Sequence, residues 1–170
     1  MKVILYMTIT ANGYIAREND DVDFASDAEW DRFRAIANRI GNMIIGRRTY
    51  DVMKRDNQFS DLENVRKVVL THETTTESKN IIFTDKQPKE ILRHLESLGF
   101  NEVLVAGGGI CNTNFMVENL VDEIYLDIEP VILGRGIKLF ADDNFEINLE
   151  LIEIKELTNN EVQLHYKVKK

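Results

Sequence analysis

Three stretches of this chain combine glycine with residues able to hold charge or lie against a flat ring, and each follows an apolar run. In Ile45-Gly46-Arg47-Arg48-Thr49 a glycine precedes two guanidiniums and a hydroxyl at the start of a helical pattern. Such a helix offers free N–H groups and the positive end of its dipole, and the arginines add full charge, which together can hold a phosphate. The same residues also read as a surface arginine pair, since basic groups at a helix start oppose the dipole. In Val105-Ala106-Gly107-Gly108-Gly109-Ile110 three glycines separate an apolar run from a helix. They let a pyrophosphate approach the backbone amides, or they make a plain tight turn. In Asn12-Gly13-Tyr14-Ile15-Ala16 a turn carries apolar side chains that suit contact with a flat ring or tuck into the core.

Other chemistries find less support. Cys111 falls in the first turn of the helix after the glycines, where a thiol pKa can drop, but a small packed side chain is the simpler reading. His72, His94 and His165 have no metal-ligand spacing to one another or to Cys111, so no metal is expected. The acidic run Glu18 to Asp23 lacks the glycine and terminal glutamate of a calcium loop and reads as solvated. No nucleophile elbow, P-loop or GxGxxG fingerprint is present.

The elements that must carry these stretches follow from apolar periodicity. Residues 2–9 suit a strand buried on both faces. Trp30, Phe33, Ile36, Ala37 and Ile40 recur at helical spacing over 27–40, with Ser26 or Asp27 as cap and Gly41 as stop. Strands are expected at 42–45, 65–71, 81–83 and 102–106, with helices at 48–54, from Pro88 to Leu98, and after Gly109 through Leu120. Residues 55–65 and 73–79 read as loop. The last third differs: 123–131, 146–157 and 161–169 are strands without helices between them, the last two joined by Thr158-Asn159-Asn160. Asn160 or its neighbour is expected to take a positive φ in that hairpin. The sum is an α/β protein: a mostly parallel sheet of eight strands flanked by about four helices, closed by an antiparallel C-terminal hairpin.

The 170 residues form one expected domain, 1–170, of globular composition, with 44% hydrophobic and 29% charged residues. A net charge of −8, with no basic cluster longer than a pair, disfavours nucleic-acid binding. No run approaches the roughly eighteen apolar residues of a membrane helix. A single cysteine and no secretory pattern point to the cytoplasm.

With these features placed, the sequence resembles the dihydrofolate reductase superfamily, in particular stand-alone proteins similar to the reductase domain of bacterial riboflavin biosynthesis. MTITANGYIA at 7–16 resembles the family's first-strand segment and its Asp-Gly-x-Ile-Ala turn. IIGRRTYDVM at 44–53 resembles the Gly-Arg-x-Thr motif that receives the 2′-phosphate of NADPH. VAGGGICNTNFMVENLVDEIYLDIEPVILGRGIKLF at 105–140 resembles the Gly-Gly turn, the helix to Val-Asp-Glu and the Gly-x-Gly-x-x-Leu-Phe close.

The resemblance implies the dihydrofolate reductase-like fold, a plausible homodimer, and hydride transfer from NADPH to a small heterocyclic or carbonyl substrate. By position, Gly46, Arg47, Arg48 and Thr49 would hold the adenosine 2′-phosphate and pyrophosphate, with Thr71 and His72 beside the adenosine end. Gly107, Gly108, Gly109 and Ile110 would receive the pyrophosphate, with a cis Gly107–Gly108 bond, and Thr8 and Ile15 would flank the nicotinamide. Asn12 stands where many members have Asp, and the Asp-x-Pro-x-Leu-Thr segment of the riboflavin-pathway reductases is missing. Asp27 sits where dihydrofolate reductases place an acid that helps protonate the pterin, and also where an acid complements the helix dipole. The alternative from another class is a nucleotide-binding or regulatory protein that kept the fold without the chemistry.

Overall fold

The computed structural model describes residues 1–73, 78, 80–158 and 160–170. Eight strands form the main sheet: β1 (Lys2–Thr10), β3 (Asn42–Gly46), β4 (Arg66–Leu70), β5 (Ile81–Thr84), β6 (Glu102–Val105), β7 (Glu123–Glu129), β9 (Leu149–Glu156) and β10 (Val162–Val168). Their spatial order is β5-β4-β3-β6-β1-β7-β10-β9. Pairing is parallel from β5 through β7 and antiparallel where β10 meets β7 and β9. The expected sheet and terminal hairpin are therefore present. A second, two-stranded sheet joins β2 (Tyr14–Ala16) to β8 (Ile137–Lys138) and was not expected from the pattern.

The central strands are apolar throughout because each feeds two cores. Val3 and Leu5 of β1 point to one face, with Val103 and Val105 of β6, while Ile4 and Tyr6 point to the other, with Leu104. Helices α3 (Pro88–Ser97) and α4 (Gly109–Val117) cover the first face through Ile91, Leu95, Phe115 and Met116. Helices α1 (Asp27–Ile40) and α2 (Arg47–Arg55) cover the second through Phe33, Ala37, Ile40, Tyr50 and Met53. Alternation along β1 also sends Met7 to the first face and Thr8 to the second.

Helix ends follow the expected chemistry in part. Ser26 Oγ accepts from Glu29 N at 3.0 Å, and Gly41 ends α1 in the left-handed region, φ 78°. Gln87 and Glu90 form a capping box on α3. The strands at 123–131, 146–157 and 161–169 are shorter than expected, since their flanks carry pattern without pairing partners. Part of the segment expected as loop at 55–65 is a 3-10 turn, Gln58–Leu62, whose Leu62 is fully buried. The loop at 73–79 falls largely outside the described residues, as does Asn159, the neighbour of Asn160 in the turn where one of the two was expected to take a positive φ.

Candidate active site

Helices α2 and α4 start at the carboxyl ends of β3 and β6, side by side in the sheet. Neither has a side-chain cap: Gly46 and Gly108 occupy the N-cap positions, and neither first turn contains an acid. In α1 the Ser26 side chain caps the helix, and at the start of α3 Glu90 Oε2 accepts from Gln87 N at 3.2 Å. The amides of α2 and α4 instead open on one cavity of about 660 Å³. Ile15, Gly46, Arg47, Arg48, Thr49, Gly108, Gly109 and Ile110 all line it.

The three glycines have different reasons to be glycine. Gly107 takes φ 92°, and a Cβ there would lie 3.0 Å from Met7 Cε. Its carbonyl accepts from Gly46 N at 2.7 Å, which ties the two turns together. The Gly107–Gly108 bond is cis. A Cβ on Gly108 would crowd Thr49 Oγ1 at 3.3 Å, inside the cradle. Gly109 is demanded by the protein itself, because a Cβ would sit 2.6 Å from the Lys138 carbonyl of β8.

The cationic groups are held by acids. Arg47 reaches Asp51 at 3.0 Å and Glu73 at 2.6 Å, and Arg48 reaches Asp20 at 2.6 Å. Asp20, from the acidic run read as solvated, and Lys138, from the Gly-x-Gly-x-x-Leu-Phe close, join the cavity wall without having been named as site residues. Leu70 lines the cavity, but Thr71 and His72 line neither this one nor its neighbour. Cys111 lies in the wall, yet burial pushes its thiol up to about 12, so it stays protonated.

A second cavity of about 400 Å³ continues from the first past Met7, Ile15 and Val22, which line both. Its walls include Phe24, Trp30, Phe33 and Met53, and its polar groups Thr8, Asp27, Glu29 and Asp56. Asp27 is exposed at the first position of α1. Glu29, two residues on, is largely enclosed. Burial pushes its carboxyl up to about 7, with Asp127 and Glu129 adding to the rise and Thr8 and Arg32 holding it back. Thr8 Oγ1 is buried and makes no well-formed hydrogen bond, so its contact with Glu29 falls short of a full bond.

Behind Glu29 lies a closed polar network. Buried Asp127 accepts from Tyr6 Oη at 2.6 Å, Arg32 Nε at 3.0 Å and Gln163 Nε2 at 2.7 Å. Arg32 also donates to Glu161 at 3.1 Å, so its charge is engaged away from the cavity. Asn12 pins the turn after β1 to the chain beyond β7, since its side-chain amide donates to Leu133 O at 2.7 Å and accepts from Leu133 N at 3.2 Å. An ionised Asp could not make the first of these bonds.

The sequence model of the RibD C-terminal domain matches residues 1–163. The chain belongs to the RibD C-terminal domain family. Among curated relatives, the uncharacterised proteins YwjB and YyaP of Bacillus subtilis (strain 168) are 26% and 27% identical, each over 97% of this chain and 97% and 94% of their own. A putative riboflavin biosynthesis protein from Shewanella sp. PV-4 superposes with a TM-score of 0.86 at 22% identity over the whole of both chains. The diaminohydroxyphosphoribosylaminopyrimidine deaminase/5-amino-6-(5-phosphoribosylamino)uracil reductase of Thermotoga maritima superposes at 0.76 and 18% identity, with 99% of this chain covering 56% of that one. The likenesses to solved structures show the shared fold. In this RibD-type domain, Glu29 was missed by sequence reasoning although its signal was there: it lies one helical turn before Phe33, on the buried face of α1.

Proposed function

We propose that this RibD-type domain is an NADPH-dependent reductase that transfers hydride to a small heterocyclic or carbonyl substrate. The observation that carries this reading is the pair of helix N-termini without side-chain caps, opening beside Arg47 and Arg48 on a single cavity. Uncapped amides with adjacent guanidiniums fit a pyrophosphate and a 2′-phosphate, and a Cβ at Gly108 would crowd Thr49 Oγ1 at 3.3 Å inside the cradle. Bound there, NADPH would supply the hydride. Arg47, Arg48 and Thr49 bind its phosphates, Gly108 and Ile110 bound the pyrophosphate site, and Ile15 and Thr8 flank the passage into the second cavity. Glu29 holds a proton near neutrality at the edge of that cavity and gives it to the substrate. Asp27, exposed at the helix start, complements the dipole.

The test is cofactor preference. Two or more charge-assisted bonds to the 2′-phosphate predict NADPH binding roughly 10–100-fold tighter than NADH, and Arg47→Ala or Arg48→Ala should erase most of that ratio. Equal affinities in the unaltered protein sink the assignment.

The same reading includes a homodimer. β9 is the edge of the sheet and is exposed along all eight residues, with Leu149, Leu151, Ile152 and Ile154 among them. An unprotected apolar edge favours strand pairing. Antiparallel pairing with a second copy can set Glu150 against Lys155 and Leu151 against Ile154, a self-complementary arrangement.

A further inference from the structure

We infer that the second cavity is a charge filter, admitting neutral or cationic aromatic rings and turning away phosphorylated ones. The two cavities have opposite electrostatic character. The first is lined by Arg47, Arg48 and Lys138 as well as Asp20 and Asp142. The second carries Asp27, Glu29 and Asp56, and no lysine or arginine among the described residues lines it. The nearest cations are engaged: Arg32 with Asp127 and Glu161, and Arg55 with both oxygens of Asp56 at 2.7 and 3.0 Å. Neither lines the second cavity, whereas Arg47 and Arg48, although ion-paired, line the first. Asp127 and Glu129 place further negative charge on the Glu29 side, and no helix N-terminus without a side-chain cap opens here, since Ser26 caps α1.

The walls specify the rest. Trp30 and Phe33 are stacked at 5.5 Å between centroids, and Phe24 joins them in lining a space of about 400 Å³. That room suits a planar ring with small substituents. Thr8 Oγ1, buried and without a well-formed bond of its own, adds a polar contact to the wall. A phosphate carried into this space would meet Asp27 and Glu29 with no described lysine or arginine in the wall to receive it, since Arg55 is taken up by Asp56, which disfavours binding through like-charge repulsion and lost solvation. The Thermotoga maritima relative is named for a phosphoribosylamino substrate. This chain, on the reductase reading above, acts on a ring of another charge class.

Trp30 is the only tryptophan, so its fluorescence reports occupancy of the cavity directly in protein without cofactor. Two probe pairs of matched shape and different charge test the filter: benzamidinium against benzoate, and 5-amino-6-ribosylaminouracil against its 5′-phosphate. The uncharged or cationic member is expected to bind at least tenfold more tightly at low salt. The ratio should shrink with added salt, and again in the double variant Asp27→Asn, Asp56→Asn. Benzoate binding as tightly as benzamidinium, or the 5′-phosphate as tightly as the nucleoside, overturns the filter. NADPH oxidation separates this outcome from the reductase reading. The predicted binding order without turnover of any ring leaves the filter standing and removes the reductase. Turnover of the phosphorylated pyrimidine at least as fast as of its nucleoside removes the filter and keeps the reductase.

Discussion

Glu29 shows how one residue's place on a helix decides its chemistry. Asp27 and Glu29 are both acids in the first turn of α1, but only Glu29 shares the buried face with Phe33 and Ala37. With its carboxyl at about 7, hydride transfer should fall off above neutrality as the proton is lost. A pH–rate profile checks this: Glu29→Gln should lower kcat by about 10²–10⁴-fold and abolish the ionisation, whereas Asp27→Asn should keep it. A second measurement reads the same group without turnover. A carboxyl raised from 4.5 to about 7 on folding favours the native state fully below pH 4.5, and that advantage is lost as the pH rises through 7. Glu29→Gln should therefore match the unaltered protein in Tm at acid pH and exceed it above pH 7. Equal Tm values across the range would show that the carboxyl is not shifted.

At the scale of elements, the site depends on how each helix is started. Ser26 gives α1 a side-chain cap and fixes the amide of Glu29 itself, while α2 and α4 leave their amides to the cavity. The supports behind them are less visible in the sequence. Lys67, the second residue of β4, is buried and donates from Nζ to the carbonyls of Leu62 and, at 2.9 Å, Val65, with the Phe59 ring 5.3 Å away. This fastens the 3-10 turn that underlies α2. Burial depresses its pKa, and the two carbonyls keep a donor only while Lys67 is present. Lys67→Met preserves the volume and removes the donor, so it should cost about 1–3 kcal/mol, read as a lower urea midpoint with unchanged slope. An unchanged midpoint would mean that the carbonyls find other partners.

For the molecule as a whole, the sheet has two different edges. β5 is short, four residues, whereas β9 is long, apolar and exposed, with Ile154 at 62% and Ile152 at 50%. A dimer through β9 predicts a solution mass of twice the 19.7 kDa chain, and Ile154→Lys should return it to a single chain with unchanged circular dichroism. Light scattering on the unaltered protein decides the point: a single-chain mass at micromolar concentration rules out the interface. None of the described helices is long and apolar enough to cross a membrane.

Much of this was legible in the chain. Continuous apolar runs marked the central strands because both of their faces are covered, and the 3.6-residue recurrence from Trp30 to Ile40 marked α1 with its ends. The Gly46-Arg47-Arg48-Thr49 and Gly107 to Ile110 segments were legible for a local reason: each strand-to-helix turn is written in consecutive residues. The small β2–β8 sheet was not, since it pairs two short segments more than a hundred positions apart and neither is long enough to show a period. Nor was the reason for Gly109, which depends on the Lys138 carbonyl. Only the tertiary structure brought Thr8 of β1, Glu29 of α1 and Asp127 of β7 together, and desolvation at that meeting point turns an ordinary glutamate into a group that can hold a proton at neutral pH. Sequence thus determined the fold and the cofactor-like turns, which are built from neighbouring residues. Tertiary structure decided the acid and the charge of the cavity around it, which are sums over residues far apart in the chain.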